Sequence, residues 1–162
     1  MGKSRFVDQR EHRFVISEPT HADPTLIVCP KCSGIARIYP VEKQPQYAYA
    51  VRAVCSHCGF CKNKSAAVRC FYWHDENPTD GYFGYQLWLQ IPCGKKSLWA
   101  FNLRHLKLLE DFVRAELRET PKDGLGYSNS SLTSRLPKWI KSAKNREKVL
   151  SCLQKLRQKA GC

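Results

Sequence analysis

The stretches CPKCSG, residues 29–34, and CSHCGFC, residues 55–61, place two Cys-x2-Cys pairs in one short region of a basic chain. Such a pair supplies two thiolates from one tight turn, because the backbone between them can wrap an ion, and two such turns complete a tetrahedron. Cys29, Cys32, Cys55 and Cys58 are therefore the expected ligands of one structural Zn²⁺. Gly34 and Gly59 are expected to reach the positive φ that turns backbone N–H groups toward the sulfurs. The spacer between Cys32 and Cys55 has 22 residues, a little over the usual range of about 15–20. A longer hairpin absorbs the excess. Four protein ligands leave no position for water, which disfavours a catalytic metal here.

The 162 residues are material for one domain or two small modules, and Lys and Arg outnumber Asp and Glu by 27 to 14, a formal charge of +13. That balance favours nucleic acid, an anionic surface or an acidic protein as partner. The opening MGKSRFVDQREHRFV lacks the apolar run of a signal peptide, and nothing later reads as a membrane span. Gly2 does not suit myristoylation, because Phe6 stands where Ser or Thr is wanted. A cytoplasmic location is expected, and in a reducing compartment nine cysteines argue for ligation over a disulfide framework.

Composition and periodicity divide the chain into an N-terminal arm or added strand (1–28), a segment holding both cysteine pairs (29–73), a β-hairpin with an amphipathic helix (74–120), a linker (121–130) and a basic helical tail (131–162). IARIY and YAYAVRAV read as paired strands, with Val51 and Ala53 opposed to Arg52 and Val54 by alternation. SAAVRCFYW reads as a further strand, and GYQLWLQI with SLWAF as a second hairpin. Asn102 is suited to cap the helix over LRHLKLLEDFVRAELRE, where Glu110 and Arg114 can pair across one turn. In the tail, Leu132, Leu136, Trp139 and Ile140 share a face, and Asn145 is expected to cap a last helix with Val149, Leu153 and Leu156 inward.

With Cys29, Cys32, Cys55 and Cys58 spaced in this way, roughly residues 29–73 resemble the zinc-ribbon superfamily. The resemblance implies two knuckles at one end of a β-hairpin around a structural metal. LWAFNLRHLKLLEDFVRAELRE and SRLPKWIKSAKNREKVL are similar to segments of uncharacterised bacterial zinc-ribbon proteins, a likeness that carries no activity. The expected class is α+β: a zinc ribbon continued by a second antiparallel hairpin, an amphipathic helix and a basic helical tail. Cys61 extends the second pair to Cys-x2-Cys-x2-Cys, so an iron–sulfur cluster is the alternative metal reading. Whether Cys61, Cys70 or Cys93 joins a metal site stays open, as does His57; Cys70, Cys93, Cys152 and Cys162 read as core or surface thiols.

From Arg135 onward the basic residues are Arg135, Lys138, Lys141, Lys144, Arg146, Lys148, Lys155, Arg157 and Lys159, opposed by Glu147 alone. Such a surface suits phosphates, whose neutralisation releases condensed counterions. These nine residues are the expected nucleic-acid contacts, to DNA or RNA. Trp139 is expected to anchor the tail to the body; Trp73, Trp88 and Trp99 lie in expected strands and read first as core residues, with a stacking surface on the Gln86, Trp88 and Gln90 face as the alternative.

Three functions follow. The first is nucleic-acid binding linked to transcription or another DNA transaction, and the second is an adaptor that docks on an acidic protein. The third, a hydrolytic enzyme built on His74, Asp75, Glu76 and Asp80, is the weakest. Those residues lie in a proline-containing turn, and the chain has no phosphate loop, nucleophile elbow or H-E-x-x-H.

Overall fold

The structure is a computed structural model that describes residues 3–8, 18–41, 49–66, 78–119 and 131–161. Cys70, Trp73, His74, Asp75, Glu76, Cys162 and the linker read over 121–130 lie outside them. The elements run β1 (Arg5–Val7), β2 (Thr25–Val28), β3 (Ile35–Pro40), β4 (Tyr49–Val54), β5 (Cys61–Ala66), β6 (Leu89–Cys93), β7 (Lys96–Ala100), α1 (Leu103–Arg114), β8 (Leu117–Glu119), α2 (Lys138–Lys141) and α3 (Arg146–Lys159). A short 3-10 turn, Ala143–Asn145, leads into α3. The protein is thus mixed α/β with antiparallel hairpins and a C-terminal helix.

An antiparallel sheet of order β2-β3-β4-β5 forms one half. Period-2 alternation puts Ile38, Val51 and Ala53 on its inner face, where they are fully or almost fully buried with Ile27, Leu87, Trp99 and Phe101. Thr25–Val28, at the end of the stretch read as an arm or added strand, is an added strand: it pairs with β3 from Thr25↔Ile38 to Val28↔Ile35. The strand expected over residues 65–73 begins earlier, at Cys61, which pairs with Val54 and so runs directly out of the second knuckle; residues 67–73 lie outside the described ones.

The second hairpin joins β6 to β7 through Gly94, whose φ of +70° suits a two-residue turn. Its first strand is shorter than alternation suggested, because Gln86 and Leu87 make single bridges to Thr79 and Ile27 instead. The Leu87 bridge to Ile27 splices the hairpin onto the edge of β2.

Behind the hairpin, α1 and α3 close a second core of Leu89, Leu98, Leu106, Leu109, Val113, Ile140, Val149, Leu153 and Leu156. Asn102 caps α1 as expected, its Oδ1 accepting the His105 N–H at 2.8 Å. The far end of α1 is closed by cations, which suit the exposed carbonyls and negative end of a helix. Arg118 donates to Phe112 O (2.9 Å) and to Lys141 O (2.6 Å), with its guanidinium 4.3 Å from the Phe112 ring centre. Arg146 donates to Ala115 O at 3.2 Å.

Two expected local contacts are replaced by longer ones. Glu110 pairs with Arg157 of α3 rather than with Arg114, because packing of the two helices brings a bidentate guanidinium to it. Asn145 lies before α3 but makes no side-chain cap; its amide donates to Trp139 O at 2.8 Å. Trp139 itself is half-buried against the second core, in keeping with an anchor between tail and body.

Candidate metal centre and basic surface

Each knuckle follows the end of a strand. β2 runs into Cys29, the chain turns through Pro30 and Lys31 to Cys32, and β3 departs at Ile35. β4 runs into Cys55 and β5 departs at Cys61. The backbone bonds repeat: Ser33 N–H to Cys29 O (2.9 Å) matches Gly59 N–H to Cys55 O (3.0 Å), and Cys29 N–H to Gly34 O (2.7 Å) matches Cys55 N–H to Phe60 O (2.8 Å). Positive φ falls on equivalent residues, Ser33 (61°) and Gly59 (71°). The expectation for Gly34 is therefore corrected: the left-handed position is the residue directly after the second cysteine of each pair, and in the first knuckle that residue is serine. Gly34 instead lies close to sulfur, since a β-carbon there would stand 3.4 Å from Cys32 Sγ.

The four sulfurs of Cys29, Cys32, Cys55 and Cys58 lie within 4.8 Å of one another. Cys29 Sγ is 3.6 Å from Cys58 Sγ, and Cys32 Sγ is 3.7 Å from Cys55 Sγ. A tetrahedron with metal–sulfur bonds of about 2.3 Å has edges of about 3.8 Å. The donor set fits one such ion. Cys29 and Cys55 are buried, Cys32 and Cys58 half-buried.

Electrostatics favour thiolate at two of these positions. Burial alone would raise the Cys29 thiol, but N–H groups of Cys32 and Lys31 and the neighbouring thiols outweigh it and hold Cys29 at about 7. The Cys58 and His57 N–H groups likewise hold Cys55 below the ordinary thiol range against burial. At Cys32 the Gly34 N–H pulls the other way from burial and the three surrounding sulfurs, which together push it up to about 12. A shared cation relieves that crowding.

His57 and Cys61 are exposed and lie outside the group of four. Cys93 and Cys152 are buried in the second core, where burial and the Cys152 thiol push Cys93 up to about 12. They are core thiols. Asp80, the described member of the acidic cluster, accepts the N–H groups of Tyr82, Phe83 and Tyr85 at 2.8, 2.7 and 2.6 Å. Its carboxylate organises a turn.

The basic residues divide into two sets. Arg157 is held by Glu110, Arg146 by Ala115 O, and Lys141 donates to Ser134 O. Lys159 sits 5.1 Å from the Trp88 ring centre and donates to Gln90 O at 3.3 Å, while the Trp88 indole donates to Lys159 O at 3.3 Å. Burial lowers the ammonium pKa of both Lys141 and Lys159. Trp88 and Gln90 are thus taken up by the end of α3, whereas Gln86 stays exposed.

Arg135, Lys138, Lys144, Lys148 and Lys155 are exposed. Lys148 and Lys155 stand two turns apart on one face of α3. The flexible tip of Lys148 reaches Gly94, which brings this face beside exposed Lys95 and Lys96. Those two lysines were not singled out from sequence, since only the tertiary packing places them beside the tail.

No helix among the described residues is long and apolar enough to cross a membrane. Compared with family models, curated proteins and solved structures, the chain matches none. Its fold and site define a mixed α/β protein with a four-cysteine group able to hold one metal ion.

Proposed function

We propose that this chain is a zinc-ribbon protein that binds nucleic acid, with one structural Zn²⁺ held by Cys29, Cys32, Cys55 and Cys58. The sulfur separations of 3.6 and 3.7 Å support the metal reading, since they match a tetrathiolate zinc tetrahedron. Zinc bound there clamps the ends of four strands, supplying folding free energy that a small sheet lacks. Four thiolates around Zn²⁺ carry −2, so the formal +13 of the chain falls to about +11 and stays strongly basic.

The exposed lysines of α3 and the β6–β7 turn support the nucleic-acid reading. Lys148 and Lys155 of α3, joined by Lys95 and Lys96 and with exposed Lys144 in the turn that precedes the helix, form a cationic surface suited to a phosphate backbone. Binding of this kind weakens steeply with salt. The test is a salt titration of binding to labelled DNA and RNA with the full chain. Affinity that falls linearly in log salt supports the proposal; absence of binding at low salt overturns it and leaves an acidic protein as the partner to seek.

A further inference from the structure

The solvent-facing side of the four-stranded sheet carries a chemistry different from the lysine surface. Cross-strand register sets Tyr39, Arg52 and Asn63 in one row and Arg37, Val54 and Cys61 in the next. His21 stacks on Tyr39, ring centres 6.0 Å apart and planes 21° from parallel. Arg52 Nε donates to Asn63 Oδ1 at 2.8 Å, which fixes the fork. Its terminal nitrogens have no partner among the described residues. His21, Tyr39, Pro40, Val41, Arg52 and Val54 line an open cleft of about 470 Å³.

We infer that this cleft is a stacking platform for an unpaired base of single-stranded nucleic acid, with Arg52 and Arg37 receiving the flanking phosphates. The inference rests on the nucleic-acid reading above and assigns it a second, base-dependent contact. A flat aromatic wall bordered by guanidinium groups suits a base and its backbone, because every base offers a π-face and every linkage an anion. A second stacked pair, Phe83 and Tyr85 in the segment ahead of β6, is taken up internally: Lys64 lies 5.9 Å from the Phe83 ring centre, and Phe60 packs edge-on to Tyr85 at 6.2 Å. The His21 and Tyr39 pair is flanked instead by exposed Arg52 and by open cleft.

The test uses the full metal-loaded chain and two labelled single strands of equal length, oligothymidine and an abasic oligomer carrying the same phosphates. Oligothymidine should bind about tenfold tighter. Tyr39→Ala should erase that preference and Tyr39→Phe should keep it. Arg52→Gln, an exposed change that leaves the fold intact, should weaken both strands. Metal content and circular dichroism check each variant. Equal affinity of the wild type for both strands, or an unchanged preference in Tyr39→Ala, overturns the platform while leaving nucleic-acid binding standing. Failure of every strand and duplex to bind overturns both.

Discussion

Arg157 holds both carboxylate oxygens of Glu110, Nε to Oε1 at 2.9 Å and Nη2 to Oε2 at 2.5 Å, and so ties α3 to α1. Glu110 is 14% exposed and Arg157 37%, so the pair is only partly screened by solvent. Glu110→Gln is expected to cost about 1–2 kcal/mol, read as a lower urea midpoint at constant slope. Because Arg157 serves this bond, Arg157→Gln should lower stability while leaving the salt dependence of nucleic-acid binding unchanged. A flatter salt slope in that variant would return Arg157 to the binding surface.

The lysine surface has its own signature. Replacing Lys144, Lys148 and Lys155 together with glutamine should reduce the slope of log affinity against log salt by about one per lysine, with the melting temperature within a few degrees of wild type. Point changes are the right instrument, since removing the tail would strip Val149, Leu153 and Leu156 from the core. An unaltered slope places the phosphates elsewhere.

For the metal, elemental analysis should find about one zinc per chain. Cys32→Ser and Cys58→Ser should each lower zinc content and increase amide exchange in β3 and β4, since both knuckles lose their common centre. Iron with visible absorbance would replace the zinc reading with a cluster.

Acid acts on a buried histidine as well. His105 is fully buried and accepts the Phe101 N–H on Nδ1 at 3.2 Å, which places the proton of the neutral ring on Nε2. Burial, then the Arg104 cation, lowers its pKa from 6.5 to about 3. A folded-state pKa below the unfolded one means that neutral His105 contributes stability fully above pH 6.5, lost as pH falls from 6.5 toward 3. The loss should be on the order of a few kcal/mol. His105→Gln should show a flatter pH profile over that window, with the acid release of metal common to both proteins as the remaining slope. Identical profiles would remove His105 as the cause.

What could be read from residues alone was local. The Cys-x2-Cys spacing marked the four clustered sulfurs, alternation put Val51 and Ala53 inward, and Asn102 announced the start of α1. What escaped depended on partners distant in the chain. Nothing near Glu110 signals Arg157, and nothing near Trp88 signals the Lys159 ammonium over its ring. Charge counting treated the tail cations as one surface, whereas packing turned Arg146 inward to Ala115 O, and Arg118, upstream of the tail, to the end of α1. The bounds and partner of the added strand Thr25–Val28 were hidden for a similar reason: a four-residue strand between a proline and a cysteine has too little length to show a period.

The left-handed backbone at Ser33 makes the two halves of the sulfur clamp unequal. Glycine at residue 59 adopts that conformation freely, whereas serine at 33 is held there against a steric penalty of about 1 kcal/mol. The first knuckle is thus the sprung side. When a chelator withdraws the ion, Cys29 and Cys32 should let go before Cys55 and Cys58, and Ser33→Gly should slow the departure.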